Sequence, residues 1–75
     1  MKMETLKVVS SNIESFEYDK ERKVLTVHYH KEHIRTSSYE YYGVMPDLWE
    51  NLVDYNGSYG RFTRNTLKQY KYAKL

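Results

Sequence analysis

The sequence predicts a small two-layer α+β domain: an antiparallel three-stranded meander packed by one helix, then a short helix and a C-terminal strand, in the order β-β-β-α-α-β. Three observations predict this class. Apolar and polar side chains alternate through the first half of the chain, as in half-buried strands. An apolar stripe at helical spacing follows Pro46. Near the C-terminus, Tyr70 and Tyr72 have the two-residue spacing of a strand, although a continuing helix is the alternative there.

The predicted strands cover residues 13–18, 24–30 and 34–42. Leu25, Val27 and Tyr29 alternate with polar neighbours, so they share the buried face of the second strand. Tyr39 and Tyr41 share one face of the third strand. Short polar segments join the strands, and connections of this length are typical of hairpins.

The first predicted strand contains a break in its alternation. Phe16 and Tyr18 lie two residues apart on one face, whereas Ile13 is out of phase with them. One extra residue in a strand restores the phase, so the spacing predicts a β-bulge near Glu14 and Ser15.

The first helix is predicted to start at Pro46, because proline suits a first helical turn in which its missing N–H has no partner. Its apolar stripe consists of Leu48, Trp49, Leu52, Val53 and Tyr55. Asn56-Gly57 is expected to close this helix, with Gly57 in the left-handed conformation. A tight loop with a positive φ at Gly60 is then expected, followed by a short helix with Thr63 as its N-cap.

The sequence predicts a core built from the apolar faces of these elements. Its expected members are Phe16, Tyr18, Leu25, Val27, Tyr29, Leu48, Trp49, Leu52, Val53, Phe62, Leu67 and Tyr70. Nine of the twelve aromatic residues are tyrosines, and each needs a hydrated or hydrogen-bonded hydroxyl. Several tyrosines must therefore lie at the margin of so small a core.

Residues 1–9 mix charges without a clear period, so we expect a poorly ordered or loosely attached N-terminus and a single domain over residues 10–75. These nine residues lack the apolar run of a signal peptide, and no stretch reaches the roughly 20 apolar residues of a membrane span. The chain has no cysteine, which fits a reducing compartment. We therefore expect a cytoplasmic protein.

Several short patterns, taken in order, resemble those of the KTSC domain. They are Ser11-x-Ile13, Phe16-x-Tyr18-Asp19, Leu25-x-Val27, Tyr39-x-Tyr41-x-Gly43-Val44, Ser58-x-Gly60-x-Phe62 and Leu67-x-x-Tyr70. That family is named for its occurrence at the C-terminus of some lysyl-tRNA synthetases, and it includes small free-standing proteins of bacteria and phages. The resemblance implies a compact domain without an assigned reaction. The link to a tRNA-charging enzyme suggests RNA binding, but only by analogy.

The C-terminal segment differs chemically from the rest of the chain. Residues 1–54 have a charge of −3 and residues 55–75 a charge of +5, which together give the net charge of +2. The candidate partner or nucleic-acid contacts are Arg61, Arg64, Lys68, Lys71, Lys74, Tyr59 and Tyr72. A helix starting at Thr63 would align four of these bases along one face, and such a ridge can follow phosphates.

Two functions suit this segment. The leading hypothesis is a non-catalytic module that binds a protein partner, or a second copy of itself, through exposed tyrosines or a free sheet edge. The alternative is an RNA- or single-strand-binding module in which Tyr59 or Tyr72 stacks on bases. The low net charge favours a protein partner.

Catalysis and metal binding are not expected. His28, His30 and His33 are spaced like metal ligands, but structural sites usually need four ligands. Ser58, His28 and Asp54 are residue types of hydrolytic triads, yet no nucleophile elbow accompanies them. We therefore expect no enzyme activity, no cofactor and no bound metal.

Overall fold

The computed structural model describes residues 3–75 and has the expected α+β class. One sheet of five strands in the order β1-β2-β3-β4-β5 pairs antiparallel throughout. The elements in chain order are β1 (Met3–Lys7), β2 (Ile13–Asp19), β3 (Val24–Lys31), β4 (Ile34–Tyr42), α1 (Pro46–Val53), α2 (Tyr59–Thr66) and β5 (Tyr72–Lys74). A single turn of 3₁₀ helix, Leu67–Gln69, follows α2.

The predicted element order is wrong at its start, because four strands precede the helices rather than three. Residues 3–7 form the edge strand β1 and pair along their length with β2, from Met3 opposite Asp19 to Lys7 opposite Ser15. The part of the predicted loose N-terminus that covers residues 1 and 2 lies outside the described residues. All of β1 is exposed except the half-buried Leu6, so the strand has no alternation that the sequence could reveal.

The core lies between the helices and one face of β2 and β3. Phe16 pairs with Val27, and Tyr18 pairs with Leu25; all four side chains are fully buried. The predicted bulge is confirmed, because the register between β2 and β3 shifts between Ile13 and Ser15. That shift brings Ile13 into the core, where it is fully buried, although the predicted core omitted it.

Helix α1 begins at Pro46 as predicted, with Asp47 in its first turn. Trp49 stacks on Tyr18 with ring centroids 5.4 Å apart, and the Tyr18 hydroxyl donates a 2.6 Å hydrogen bond to the carbonyl oxygen of Val44. The prediction that Val53 is a core residue is wrong, since this side chain is 43% exposed at the end of the helix. Within residues 3–75, neither helix is long or apolar enough to span a bilayer.

The predicted start of the second helix is also wrong. Helix α2 begins at Tyr59, and Ser58 is its N-cap, whose hydroxyl accepts a 3.3 Å hydrogen bond from the backbone N–H of Arg61. Thr63 instead lies inside α2 and is 4% exposed. The predicted C-terminal strand is confirmed by β5.

The expected glycine geometry does not occur at Gly57 or Gly60. The only glycine with positive φ is Gly43, at +74°, so neither of the other two occupies a left-handed position. Gly60 lies in the first turn of α2, where φ is helical, and the C-cap of α1 is Asp54 rather than the Asn56-Gly57 pair.

Candidate functional site

The helices cover only part of the sheet face on which they pack. Beyond them, on the same face of β3, β4 and β5, the side chains of Tyr29, Tyr39, Tyr41 and Tyr72 form the floor of an open depression of about 620 Å³, which we call the tyrosine groove. Register places Tyr72 opposite Tyr41 and Lys74 opposite Tyr39. Residues from β3, β4 and β5 are thereby brought together.

The rings of the tyrosine groove contact one another edge to face or at a tilt. Tyr29 and Tyr39 meet with centroids 5.8 Å apart and planes at 89°. Tyr72 lies 5.9 Å from Tyr39 and 5.8 Å from Tyr41. Tyr72 is 60% exposed, whereas Tyr29, Tyr39 and Tyr41 are half-buried. The floor is therefore a continuous aromatic surface with one prominent ring at the sheet edge.

The hydroxyl groups of Tyr29 and Tyr41 in this floor stay protonated at neutral pH. Burial, followed by the neighbouring hydroxyl of Tyr41, raises the pKa of Tyr29 far above its ordinary value. Burial also raises the pKa of Tyr41. A neutral phenol both donates and accepts hydrogen bonds, so the floor offers polar contacts without adding negative charge.

A smaller cavity of about 290 Å³, which we call the side pocket, adjoins the groove where α2 meets the sheet. Asn12, Tyr29, Tyr41 and Lys68 line both spaces, so the two are continuous. Gly60, Thr63 and Arg64 from α2 complete the side pocket. Within residues 3–75, no acidic side chain lines either space, and Arg64 and Lys68 are both exposed.

The structure brings together some of the sequence-predicted site residues and separates others. Tyr72 and Lys68 line the groove, Arg64 lines the side pocket, and Lys74 is opposite Tyr39 on β5. Arg61 lies on α2 without lining either space.

Lys71 and Tyr59 are also outside the candidate site. Lys71 follows the 3₁₀ turn, so it does not continue a helical ridge, and its carbonyl oxygen accepts a hydrogen bond from the N–H of Tyr42. Tyr59 is half-buried; its ring lies 6.0 Å from Phe16, and its hydroxyl donates to the carbonyl oxygen of Tyr55. It is therefore not a free stacking platform.

Sequence reasoning missed Tyr39, Tyr41 and Thr63 as members of the site and assigned Tyr29 to the core. The spacing of Tyr39 and Tyr41 did place them on one face, which was the available signal. Thr63 gave no signal, because its burial depends on how α2 packs against the sheet.

The opposite face of the sheet is polar, and several of its side chains hydrogen bond to one another. His28, which is 7% exposed, donates from Nε2 to the carboxylate of Glu17 and accepts at Nδ1 from Ser38 Oγ at 2.6 Å, because a carboxylate can only accept. Arg35 pairs with Glu14, and this pairing lowers the pKa of that carboxyl. Through these contacts, the named polar side chains of this face have hydrogen-bond partners within the face itself.

The three histidines do not form a metal-binding cluster in the part of the chain that the structure describes, although the rings of His30 and His33 stack with centroids 5.6 Å apart. Both ring nitrogens of His30 are occupied, one by the carbonyl oxygen of Ser10 and the other by the backbone N–H of His33. Among residues 3–75, no three His, Cys, Asp or Glu side chains are arranged to hold a metal ion. Ser58 is the N-cap of α2, a role that the sequence prediction had assigned to Thr63.

Comparisons with known proteins find a family model that matches this chain and a solved structure with a similar fold. The family model described as the KTSC domain matches residues 9–72. The crystal structure of a KTSC domain protein from Yersinia pestis aligns with a TM-score of 0.80 and 28% sequence identity, over 99% of both chains. No curated protein matches this chain. The matched region includes every residue that lines the tyrosine groove and side pocket, and Ala73, Lys74 and Leu75 follow it.

Proposed function

The chain belongs to the KTSC domain family, and we propose that it is a non-catalytic interaction module that binds a protein partner in the tyrosine groove. The observation that best supports this function is the four-tyrosine floor with a cationic margin on an otherwise uncovered part of the sheet. Tyrosine and arginine are enriched in the centres of protein interfaces. A reducing, cytoplasmic location fits the absence of cysteine.

The ring geometry favours a protein over a single-stranded nucleic acid. Proteins that bind single strands offer separate ring faces on which successive bases stack. In the tyrosine groove the rings pack against each other at 5.8–5.9 Å with planes 37–89° apart. Such a floor presents ring edges, hydroxyls and one exposed face, a mixture that suits amino-acid side chains.

The edge strand β5 adds a means of holding the partner's backbone. The carbonyl of Lys71 and the N–H of Leu75 point toward β4, with hydrogen bonds of 2.9 and 2.8 Å. Backbone groups alternate in direction along a strand, so those of Tyr72 and Lys74 point away from β4. An extended segment can pair with this edge while its alternate side chains enter the groove, as in recognition by strand addition.

The partner segment is expected to be acidic. Arg64, Lys68 and Lys74 border the groove and side pocket, and none of them forms an ion pair within residues 3–75. The same cations support the alternative function, the binding of single-stranded RNA, in which they contact phosphates and Tyr72 stacks on a base.

The decisive experiment compares matched surfaces. Partners are captured from the native host with a photo-reactive residue at position 72 and, as a control, at position 42, since Tyr42 is exposed and, by strand alternation, on the opposite sheet face. A captured protein is then purified and titrated against this domain. Replacing an interface tyrosine of this kind costs about 2 kcal/mol, or about 30-fold in Kd. We expect that loss for Tyr72→Ala and little change for Tyr42→Ala.

Salt dependence separates the two functions. Single-stranded RNA and tRNA are titrated at two salt concentrations, with Arg64→Glu/Lys68→Glu as the test variant and Arg22→Glu/Lys31→Glu as a charge-matched control. RNA binding should weaken with a log–log slope of about −0.7 per neutralised phosphate. Affinity that follows this slope and disappears only in the test variant would replace the protein-binding proposal with the RNA-binding one.

A further inference from the structure

The side pocket contains a buried polar group without a partner. Thr63 is 4% exposed, and its Oγ1 makes no hydrogen bond within residues 3–75. A buried hydroxyl normally has at least one partner, and each exception needs an explanation. Thr63 lines the side pocket, which makes a ligand atom in this pocket a candidate for the missing partner.

The remaining groups around this hydroxyl favour an anion. The side pocket has Arg64 and Lys68 on the helical side and the side chains of Tyr29 and Tyr41 on the sheet side. Helix α2 has no acidic residue in its first turn, so the positive end of its dipole, near Gly60, is not neutralised there. Two cations, neutral donors and a helix start therefore surround a space without a carboxylate.

We propose that the side pocket binds one carboxylate group of an acidic side chain of the partner segment. This inference rests on the proposed function, because the pocket opens into the tyrosine groove. One carboxylate oxygen accepts a hydrogen bond from Thr63, and the other is paired with Lys68, which lines both the side pocket and the groove. Recognition of a phosphate typically uses a cluster of arginines. The side pocket instead combines hydroxyl groups with flexible cations, and this combination suits the single negative charge of a carboxylate.

The test uses a small probe, so that no partner needs to be known. The ¹⁵N-labelled domain is titrated with the blocked peptide acetyl-Gly-Glu-Gly-amide, and amide shifts at Gly60, Thr63 and Arg64 are followed. The isosteric peptide acetyl-Gly-Gln-Gly-amide removes only the charge, and inorganic phosphate represents the other anion. We expect saturable binding of the glutamate peptide and at least ~5-fold weaker binding of the glutamine peptide, in line with a charge-assisted hydrogen bond.

Two variants locate the binding. Thr63→Val keeps the side-chain shape and removes the hydroxyl, and Lys68→Gln removes one exposed cation; both should weaken the glutamate peptide at least ~5-fold. Lys71→Gln is the matched control and should have no effect. If Thr63→Val fails to fold, Lys68→Gln still decides. Equal affinity for the two peptides, binding of phosphate alone, or insensitivity to Lys68→Gln would overturn the assignment.

These results are separable from those for the proposed function. If an identified partner loses affinity with Tyr72→Ala but not with Thr63→Val or Lys68→Gln, the carboxylate site is wrong and the tyrosine groove stands. If the glutamate peptide binds as expected but Tyr72→Ala leaves partner binding intact, the proposed groove is wrong and the anion site stands.

Discussion

Replacing Trp49 by alanine should remove most of the stability of this domain. Trp49 is 5% exposed and stacks on Tyr18, which is fully buried. Truncation of a buried tryptophan to alanine costs about 3–5 kcal/mol, and the stacking contact accounts for about 0.5–1.5 kcal/mol of such a loss. The whole net stability of a domain below 80 residues is roughly 3–5 kcal/mol, so the two quantities are comparable.

The surroundings of Trp49 decide where in that range the loss falls. Its side chain borders an open depression of about 320 Å³ that is also lined by Glu4, Lys20 and Glu50. Water can enter a space that opens to solvent, so the cavity left by truncation does not remain empty. We therefore expect a loss near 3 kcal/mol, at the lower end, which leaves about 0–2 kcal/mol of net stability and hence from about half to a few per cent of the molecules unfolded at 25 °C.

Urea unfolding followed by far-UV circular dichroism is the appropriate assay. Tryptophan fluorescence cannot follow the unfolding of these variants, because the replaced residue, Trp49, is the only tryptophan. Trp49→Phe retains a ring against Tyr18 and serves as the matched variant, with a cooperative transition at lower urea. Trp49→Ala should show a weak transition or none. A cooperative transition at the wild-type midpoint would show that Trp49 contributes little and that the packing argument for α1 is wrong.

Three further predictions concern single groups. Gly43→Ala should lose about 1–2 kcal/mol, because φ is +74°, whereas Gly60→Ala should lose less, because its backbone is helical and the nearest atom to an added Cβ is Oδ1 of the exposed Asn12 side chain, at 3.3 Å; equal shifts in their urea midpoints would contradict this. Tyr18→Phe should lose about 1–3 kcal/mol by leaving the buried Val44 carbonyl without its donor, and a midpoint unchanged from wild type would show that another group satisfies it. The raised pKa of Tyr29 means that the folded protein retains a proton that the unfolded chain releases near pH 10.0. The contribution of Tyr29 to the free energy of unfolding is complete below this pH and declines as the pH rises above it. When melting temperature is measured against pH, Tyr29→Phe should make the decline at alkaline pH shallower. An unchanged decline would refute the linkage between the pKa of Tyr29 and stability.

The elements that the sequence predicted correctly have signals that do not depend on distant contacts. Alternation identified β2 and β3 because their core-facing apolar side chains are buried over most of each strand, and β4 because Tyr39 and Tyr41 share its half-buried face. The bulge in β2 was visible because Ile13 is apolar but out of phase. Pro46 marked the first turn of α1 because its fixed φ suits that position.

The incorrect predictions fall where tertiary packing overrides local preference. Two residues, Ser58 and Thr63, could each have capped α2. The packing of Tyr59 against Phe16 favours a start at Tyr59, despite the poor helix propensity of Gly60. Val53 continued the apolar stripe of α1 in sequence, but it is the last residue of the helix and is 43% exposed, whereas its neighbour Leu52 is fully buried.

The candidate site was only half predictable, because it depends on pairing between distant segments. Tyr72 lies 31 positions beyond Tyr41 in sequence and becomes its neighbour only through the register of β4 with β5. The basic residues were identifiable by composition, but their grouping was not. A continuous helix would have aligned Arg61, Arg64 and Lys71, whereas the 3₁₀ turn after α2 interrupts the series.

This difference makes the grouping of the basic residues testable. A helical ridge that follows an anionic surface would use all of its bases about equally, so Arg61→Glu/Lys71→Glu should weaken binding as much as Arg64→Glu/Lys68→Glu. Of these four bases, the structure places only Arg64 and Lys68 at the tyrosine groove and side pocket. Both double variants change the net charge by the same amount, so long-range attraction is lowered similarly in each. A larger loss for Arg64→Glu/Lys68→Glu with a purified partner therefore isolates the groove, and equal losses would restore the ridge as the binding surface.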